Sequence, residues 1–510
     1  MPSITQPVHR ESPPAEKISL FRSLFRGRED VYPRRFESRT SGKAGYSPVC
    51  SNEWVTGICE KPRVKCATCQ HRQFLPVTDD VIQQHLVGVG EHGSDFVAGV
   101  YPMLLDETCF FLAIDLDKSG WQDDAAAILE MCRQLEIQAL LERSRSGNGG
   151  HVWIFFEAAI PASLARRLGS YVLTTTMERR PDIGLDSYDR FFPNQDTLPK
   201  GGFGNLIALP LQKKSREAGN SVFVDSVFQP YDDQWQILSS IERISRETVE
   251  SIVQDASQQG RIVGVRAANI DTDNQPWALA PSQKKTEVRI EGTMPKCLEL
   301  TLGDQIYVAK ENLPPALRNR LIRLAAFQNP EFYKAQAMRL PTWDKPRIIG
   351  CAEDHSEHLA LPRGCFEEVC SLLDSLKIKV GISDKRESGK SIDLDFQGEL
   401  RAEQKTAVRK LLIHDTGVLS ATTAFGKTVV AAWMIAERAT NTLVLVHRRQ
   451  LLDQWVEKLS EFLDVPAKEI GRLGGGRKKT HRTNRRGHDP KPSAEGCCER
   501  LRRRLRPRDY

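Results

Sequence analysis

The chain has 510 residues, and at ~100–200 residues per domain it has room for two to four domains. Hydrophobic residues are 40% and charged residues 27%, ordinary proportions for a buried core. The formal charge of +6 is uneven: residues 471–510 carry fourteen Lys and Arg against four acids, which leaves the body at about −4.

No apolar run approaches the ~18 residues of a membrane helix, and MPSITQPVHRESPPAEK has no signal-type apolar stretch. Membrane and secreted classes are therefore set aside and a cytoplasmic location is expected. Twelve unevenly spaced cysteines fit a reducing compartment.

Residues 1–45 are polar and rich in Arg, Ser and Pro, and read as a disordered, mobile extension. A globular region follows over 46–250. Near its start lie Cys50, Cys59, Cys66 and Cys69, the last two as CATC. With Cys59 and one further ligand this CxxC can close a tetrahedral zinc site, and Cys50, His71 and His85 compete for the fourth place. Buried free thiols are the alternative.

The run FLAIDLDKSGW ends a predicted strand with Asp115 and Asp117. Period two places both carboxylates on one face, where they repel unless a cation lies between them, a pattern suited to a divalent metal. Alone, such a pair is more often a strand-end turn with its acids pointing to solvent. WQDDAAAILEMCRQL (121–135) then has apolar residues at helical spacing. In LLERSRSGNGGHVWIFF a strand ends near Ser144, a Gly-rich turn carries Ser146 and Gly147, and a second strand opens at His151. Such a turn lets backbone N–H groups approach an anion, with Ser146 and His151 as added donors. A third element, GLDSYDRFFPNQDTLPKGGFGNLIALPLQ, supplies Asp186 and Asp189, then Lys200 among glycines, before an apolar strand.

The order DxD, SGxGxH and a further acid ahead of a strand resembles the archaeo-eukaryotic primase superfamily. The strings NEWVTGICEKPRVKC, SYDRFFPNQDTLPKGGFGNLIALPLQ and YDDQWQIL are similar to the primase domain of TOTE conflict-system proteins, over roughly residues 45–245. That resemblance implies an α/β (α+β) fold with an RRM-like catalytic core and a zinc-binding module, and a nucleotidyltransferase acting as primase or DNA polymerase. It implies that Asp115, Asp117 and a third acid, Asp189 in preference to Asp186, ligate two Mg²⁺ or Mn²⁺ ions. Ser146, Gly147 and His151 would hold the incoming triphosphate. The implied partners are a single-stranded DNA or RNA template and nucleoside triphosphates, with a nuclease and other conflict-system components beyond them. TOTE-type sequences also carry a cysteine cluster where Cys50–Cys69 lies.

The polar stretch 251–295 reads as a linker and 296–395 as a connecting helical or mixed domain. In the latter, Arg318, Arg320, Arg323, Phe327, Phe332 and Tyr333 fit either single-strand stacking or internal packing.

Over 396–470, GVLSA is read as a strand, ATTAFGKT as a phosphate-binding loop and VVAAWMIAERA as a helix. Gly426, Lys427 and Thr428 would bind ATP and its Mg²⁺, with Gln404 in an adenine-reading string. TLVLVHRRQLLDQW is read as a further strand and helix. These motifs resemble the start of the first RecA-like domain of a superfamily II helicase. No DExH or DExx string follows Thr428 and no arginine-finger motif appears, so a partial, truncated helicase without ATP turnover is expected.

The Arg-rich residues 471–510 cannot make a core and read as a basic nucleic-acid-binding tail or, the reading favoured, as frame-shifted sequence. Against primer synthesis stand an inactive nucleic-acid-binding remnant and a DxD glycosyltransferase. The latter sits badly with the cysteine cluster and the helicase-like half.

Overall fold

The computed structural model describes residues 7–38, 42–90, 93–117, 119–180, 182–259, 261–263, 293–474 and 477–479. The chain divides into two compact units, Met1–Lys385 and Arg386–Tyr510. Both mix helices and strands. No helix among the described residues is long and apolar enough to cross a membrane.

The first unit is organised around a five-stranded sheet in the order Phe191–Phe192, Thr108–Leu116, Gly150–Pro161, Leu140–Arg143, Val222–Val224. All its pairings are antiparallel. Thr108–Leu116 is almost wholly apolar because both its faces are covered: Phe111, Leu112, Ala113 and Ile114 are all buried. Helices Trp121–Gln134 and Ala162–Arg179 pack on this sheet; of the apolar residues predicted at helical spacing, Ala125, Ile128 and Cys132 are buried, while Leu129 and Leu135 are partly buried against the core.

The N-terminal residues are part of this core. Helix Pro14–Leu24 buries Ile18, Leu20, Phe21 and Leu24, and Phe25 lies edge-on to Trp153 with ring centroids 5.0 Å apart. A hairpin, Pro33–Glu37 with Ala44–Pro48, follows. The reading of 1–45 as a mobile extension is thus corrected over the described residues: its polar average concealed one amphipathic turn set, ISLFRSLF, whose apolar side has a core to enter. Helix Arg246–Gln258 likewise runs through the first residues of the expected linker, and Val249 and Val253 are buried. Most of the remaining linker, 264–292, lies outside the described residues.

Residues 297–384 form a second five-stranded sheet, ordered Glu353–Asp354, His358–Leu361, Ile306–Ala309, Cys297–Leu302, Lys379–Asp384, with its own apolar cluster. Its last pairing is parallel. The rest of this region packs into the first sheet's core through Ile348, and helix Pro315–Leu324 lies against Ala162–Arg179. Phe332 and Tyr333 are buried, Arg323 donates to the Thr174 carbonyl at 3.1 Å, and Arg318 pairs with Asp182 at 3.4 Å and Asp354 at 2.8 Å. These residues pack; of the six named as stacking candidates, Phe327 is exposed.

In the second unit, helices Lys427–Arg438 and Arg449–Leu463 form as expected, and a further helix, Ala402–Leu412, carries Gln404. The strands read at GVLSA and TLVLVH do not: neither has a strand partner among the described residues, and Val418 is 92%, Leu443 66% and Leu445 70% exposed. A strand acquires its hydrogen bonds only from neighbours, and among the described residues none pairs with either segment. Residues 472–474 and 477–479 make one short antiparallel pair; the rest of the basic tail lies outside the described residues.

Candidate active site

Register sets the geometry of the site. Thr108–Leu116 runs antiparallel to Gly150–Pro161 so that Asp115 stands directly opposite His151, and His151 stands opposite Glu142 on the next strand. Side chains in line across a sheet share one face. The result is a row: Asp115 Oδ1 lies 3.7 Å from His151 Nε2, and His151 Nδ1 lies 3.0 Å from Glu142 Oε2.

Glu142 is buried and fully engaged. Its carboxylate also accepts from Trp153 Nε1 at 2.9 Å and from Ser221 Oγ at 3.3 Å. Burial alone would lower the His151 pKa, but the neighbouring Glu142 and Asp115 carboxylates outweigh it and the net shift is upward. That favours the ring form in which both nitrogens donate. Burial raises the Asp115 pKa, with Asp117 adding to the rise while His151 and Arg190 oppose it.

Asp117 follows the strand end, and one guanidinium shows that both acids face the same way. Arg190 pairs with Asp117 and its Nη1 lies 3.8 Å from Asp115 Oδ2. Its position is fixed by backbone, since Asp115 N–H donates to the Arg190 carbonyl at 3.0 Å and Phe191–Phe192 continues the sheet.

The Gly-rich turn closes on this strand end. Ser144 N–H donates to the Gly149 carbonyl at 2.9 Å, and Gly147 has φ +79°. A Cβ on Gly149 would fall 2.5 Å from the Leu116 carbonyl oxygen, so glycine is required for the turn to lie against Leu116–Asp117. Ser146 Oγ accepts from Asn148 N–H at 3.3 Å and shares a hydrogen bond with Ser144 Oγ at 3.2 Å. Asp115, Asp117, Ser146, Gly147 and His151 are thus collected at one end of one sheet.

Asp189 looks elsewhere. Both its carboxylate oxygens accept from the Arg347 backbone N–H, at 3.1 and 3.0 Å. Burial raises its pKa, countered by that hydrogen bond and by the Arg347 and Arg166 charges. Asp186 is exposed, and its charge is felt at Arg190. Among the described residues no three His, Cys, Asp or Glu side chains converge on one ion position. By donor chemistry Asp115 and Asp117 fit a divalent cation, with the Arg190 guanidinium at present neutralising them.

The loop at 421–428 has its own local geometry. Gly426 (φ +86°) caps helix Lys427–Arg438, leaving the first-turn N–H groups available to an anion. Gln404 is buried against it: Nε2 donates to the Phe425 carbonyl at 2.8 Å, and a Cβ on Gly426 would fall 2.5 Å from that nitrogen. Lys427 Nζ donates to the Ala421 and Thr422 carbonyls at 3.0 and 2.9 Å, folding over the loop. Ala424, where many such loops carry Gly, takes φ +65°. Thr428 lies one residue into the helix.

Residues 16–252 match the family model of the TOTE conflict system archaeo-eukaryotic primase domain. Residues 397–489 match that of the type III restriction enzyme res subunit. Taken in order, the two matches correspond to a primase–helicase architecture. Over 93 residues it is also 32% identical to a putative DNA 3'-5' helicase Rad25 of Haloarcula marismortui, covering 18% of this chain and 15% of that protein. Its counterpart in Halobacterium salinarum is 34% identical over 93 residues, with 18% and 16% covered. The chain therefore spans under a fifth of the length of these curated relatives.

Within the stretch that matches the primase-domain model, Cys50, Cys59, Cys66, Cys69 and His71 line one cavity of about 20 Å³, and all four cysteines are free thiols. The donor types are those that zinc takes, although no three of these side chains converge on one ion position in this arrangement. His85 is removed from the candidates: it is fully buried elsewhere, with Nε2 2.9 Å from the Pro210 carbonyl and Nδ1 accepting from Ala98 N–H at 3.1 Å. Sequence reasoning missed Glu142 and Arg190. A carboxylate inside the apolar strand LLER was the available signal for Glu142. For Arg190 only its place between Asp189 and the FF strand pointed inward.

Proposed function

We propose that the first unit is a template-dependent primase-polymerase, a nucleotidyltransferase that joins a 3'-hydroxyl to the α-phosphate of an incoming nucleoside triphosphate on single-stranded DNA or RNA. The observation carrying this reading is the Asp115/Asp117 pair at the same strand end as the Ser146–Gly149 turn and the Glu142–His151 pair. Asp115 and Asp117 would hold Mg²⁺ or Mn²⁺, which supplies charge neutralisation at the phosphate and a lowered hydroxyl pKa. Ser146 Oγ and the turn N–H groups donate to the triphosphate. His151 Nε2 faces the same space, held in orientation by the Glu142 carboxylate behind Nδ1. With a cation held by Asp115 and Asp117, the Arg190 guanidinium would be free to donate to a phosphate oxygen. The third acid is Asp189 or Asp186, the latter supported by its electrostatic reach to Arg190.

Incorporation of labelled nucleotide by the full chain on a single-stranded template with Mn²⁺ tests the reading; absence of template-dependent product would refute it. One observation favours the rival, a nucleic-acid-binding protein without synthesis: Arg190 occupies the carboxylates and Asp189 is turned to Arg347. Binding of single strands without incorporation would establish that rival. The cysteine cavity is proposed to hold zinc through Cys59, Cys66, Cys69 and Cys50, which metal quantification on the purified chain decides. The 397–489 segment is proposed to bind ATP at Gly426–Thr428, and a nucleotide-affinity assay with and without DNA checks this. A conflict-system role, with a nuclease among its partners, follows from the family resemblance.

A further inference from the structure

The segment bearing Asp189 and Arg190 is held from one side by the strand that carries Asp115 and from the other by residues well beyond the primase family match. Arg347 supplies the contact to Asp189 through its backbone, while its buried guanidinium donates to the Asn194 carbonyl and stacks over Phe332 at 4.2 Å. Further along the same segment, Gln195 Nε2 donates to Thr342 Oγ1, and Gln336 Nε2 donates to Asp196 at 3.1 Å. Asp196 is also the partner of the fully buried Arg166. Lys200 N–H donates to the Arg339 carbonyl at 2.8 Å, and Arg339 pairs with Glu107 at 2.8 Å. Ile348 sits in the main core, and a Cβ on Gly350 would lie 3.1 Å from Leu185. Residues 185–200 contain little regular structure: a five-residue turn, Leu185–Asp189, and a two-residue strand, Phe191–Phe192. Two short elements cannot fix a carboxylate and a guanidinium by themselves, so the distant partners set their positions.

We propose that residues 326–350 belong to the catalytic module, with Arg347 a positioning residue that locks the Asp189–Arg190 segment onto the Asp115–Asp117 strand end. The inference rests on the polymerase reading for its kinetic consequence but not for its structural one. Three full-length variants test it: Arg347→Ala, Arg347→Lys and Thr342→Val, the last a milder change at the opposite end of the contact.

Amide hydrogen exchange without metal or nucleotide is the first readout. In Arg347→Ala, exchange over 185–200 rises at least about tenfold while 108–116 and 150–161 keep wild-type protection. The second readout is labelled-nucleotide incorporation: kcat falls at least about tenfold while KM for the nucleotide stays within about twofold. Thr342→Val shifts both in the same direction by less, and Lys restores part of the loss. If Arg347→Ala does not fold, Thr342→Val decides.

Wild-type exchange over 185–200 overturns the proposal. So does a uniform rise across the whole domain with unchanged kcat per folded molecule, which is the signature of a merely structural role. A wild-type chain that incorporates nothing refutes the polymerase reading, and the exchange experiment still decides the positioning.

Discussion

The turn Ser144–Gly149 and the loop Ala421–Gly426 both bend the backbone through glycine ahead of a regular element, yet they are supported differently. The first is pinned between paired strands, so that Asp115, His151 and Glu142 are aligned by ladder register. The second rests on local contacts, Gln404 and Lys427 to carbonyls a few residues or one helix away, and the apolar runs flanking it have no strand partners among the described residues. Short-range sequence is enough to cap a helix and fold a lysine over a loop. Aligning carboxylates from separate strands requires a sheet, because only long-range pairing fixes which residues stand opposite.

If the sheet-borne site performs the chemistry, Asp115→Ala or Asp117→Ala reduces primer synthesis to background while circular dichroism and melting temperature remain near wild type. Full incorporation by either variant would break the comparison at its stronger end. Glu142→Gln removes the charge behind His151. A hydrogen bond to a charged group contributes ~1.5–3 kcal/mol, so incorporation falls by about 10–100-fold, and the His151 pKa measured by NMR moves down.

A pH series addresses the sheet's packing. His85 is buried neutral, and desolvation lowers its pKa from 6.5 to about 4. The unfolded chain therefore takes up a proton below 6.5 that the native state refuses. The stability tied to this group is complete above 6.5 and is lost as pH falls toward 4, by ~3 kcal/mol. Urea midpoints at successive pH values measure the drop, and His85→Gln flattens this part of the profile. The smallest effect is expected from Lys427→Ala, which leaves primer synthesis unchanged but abolishes ATP binding in a nucleotide-affinity assay. Loss of synthesis in this variant would show that the two loops are not independent.

Much of the site was legible beforehand because its signals are local. Period two put Asp115 and Asp117 on one face, and glycine in SGNGG announced a turn able to approach a neighbouring backbone closely. What failed depended on distant partners. The helix at 14–24 was averaged away by polar neighbours, and the TLVLVH strand was read from composition that holds only if something pairs with it.

The sequence by itself determined the elements whose period is plain over a few adjacent residues, such as the strand ending at Asp115 and the helix at 121–134, together with the chemistry of the acids and the glycine positions. Only the tertiary structure decided that Glu142 stands behind His151, that Arg190 spans both aspartates, and that Asp189 is held by Arg347 across 158 positions. Such pairings depend on register and on packing between separated segments, where burial makes each polar group's partner obligatory but no nearby residue names it.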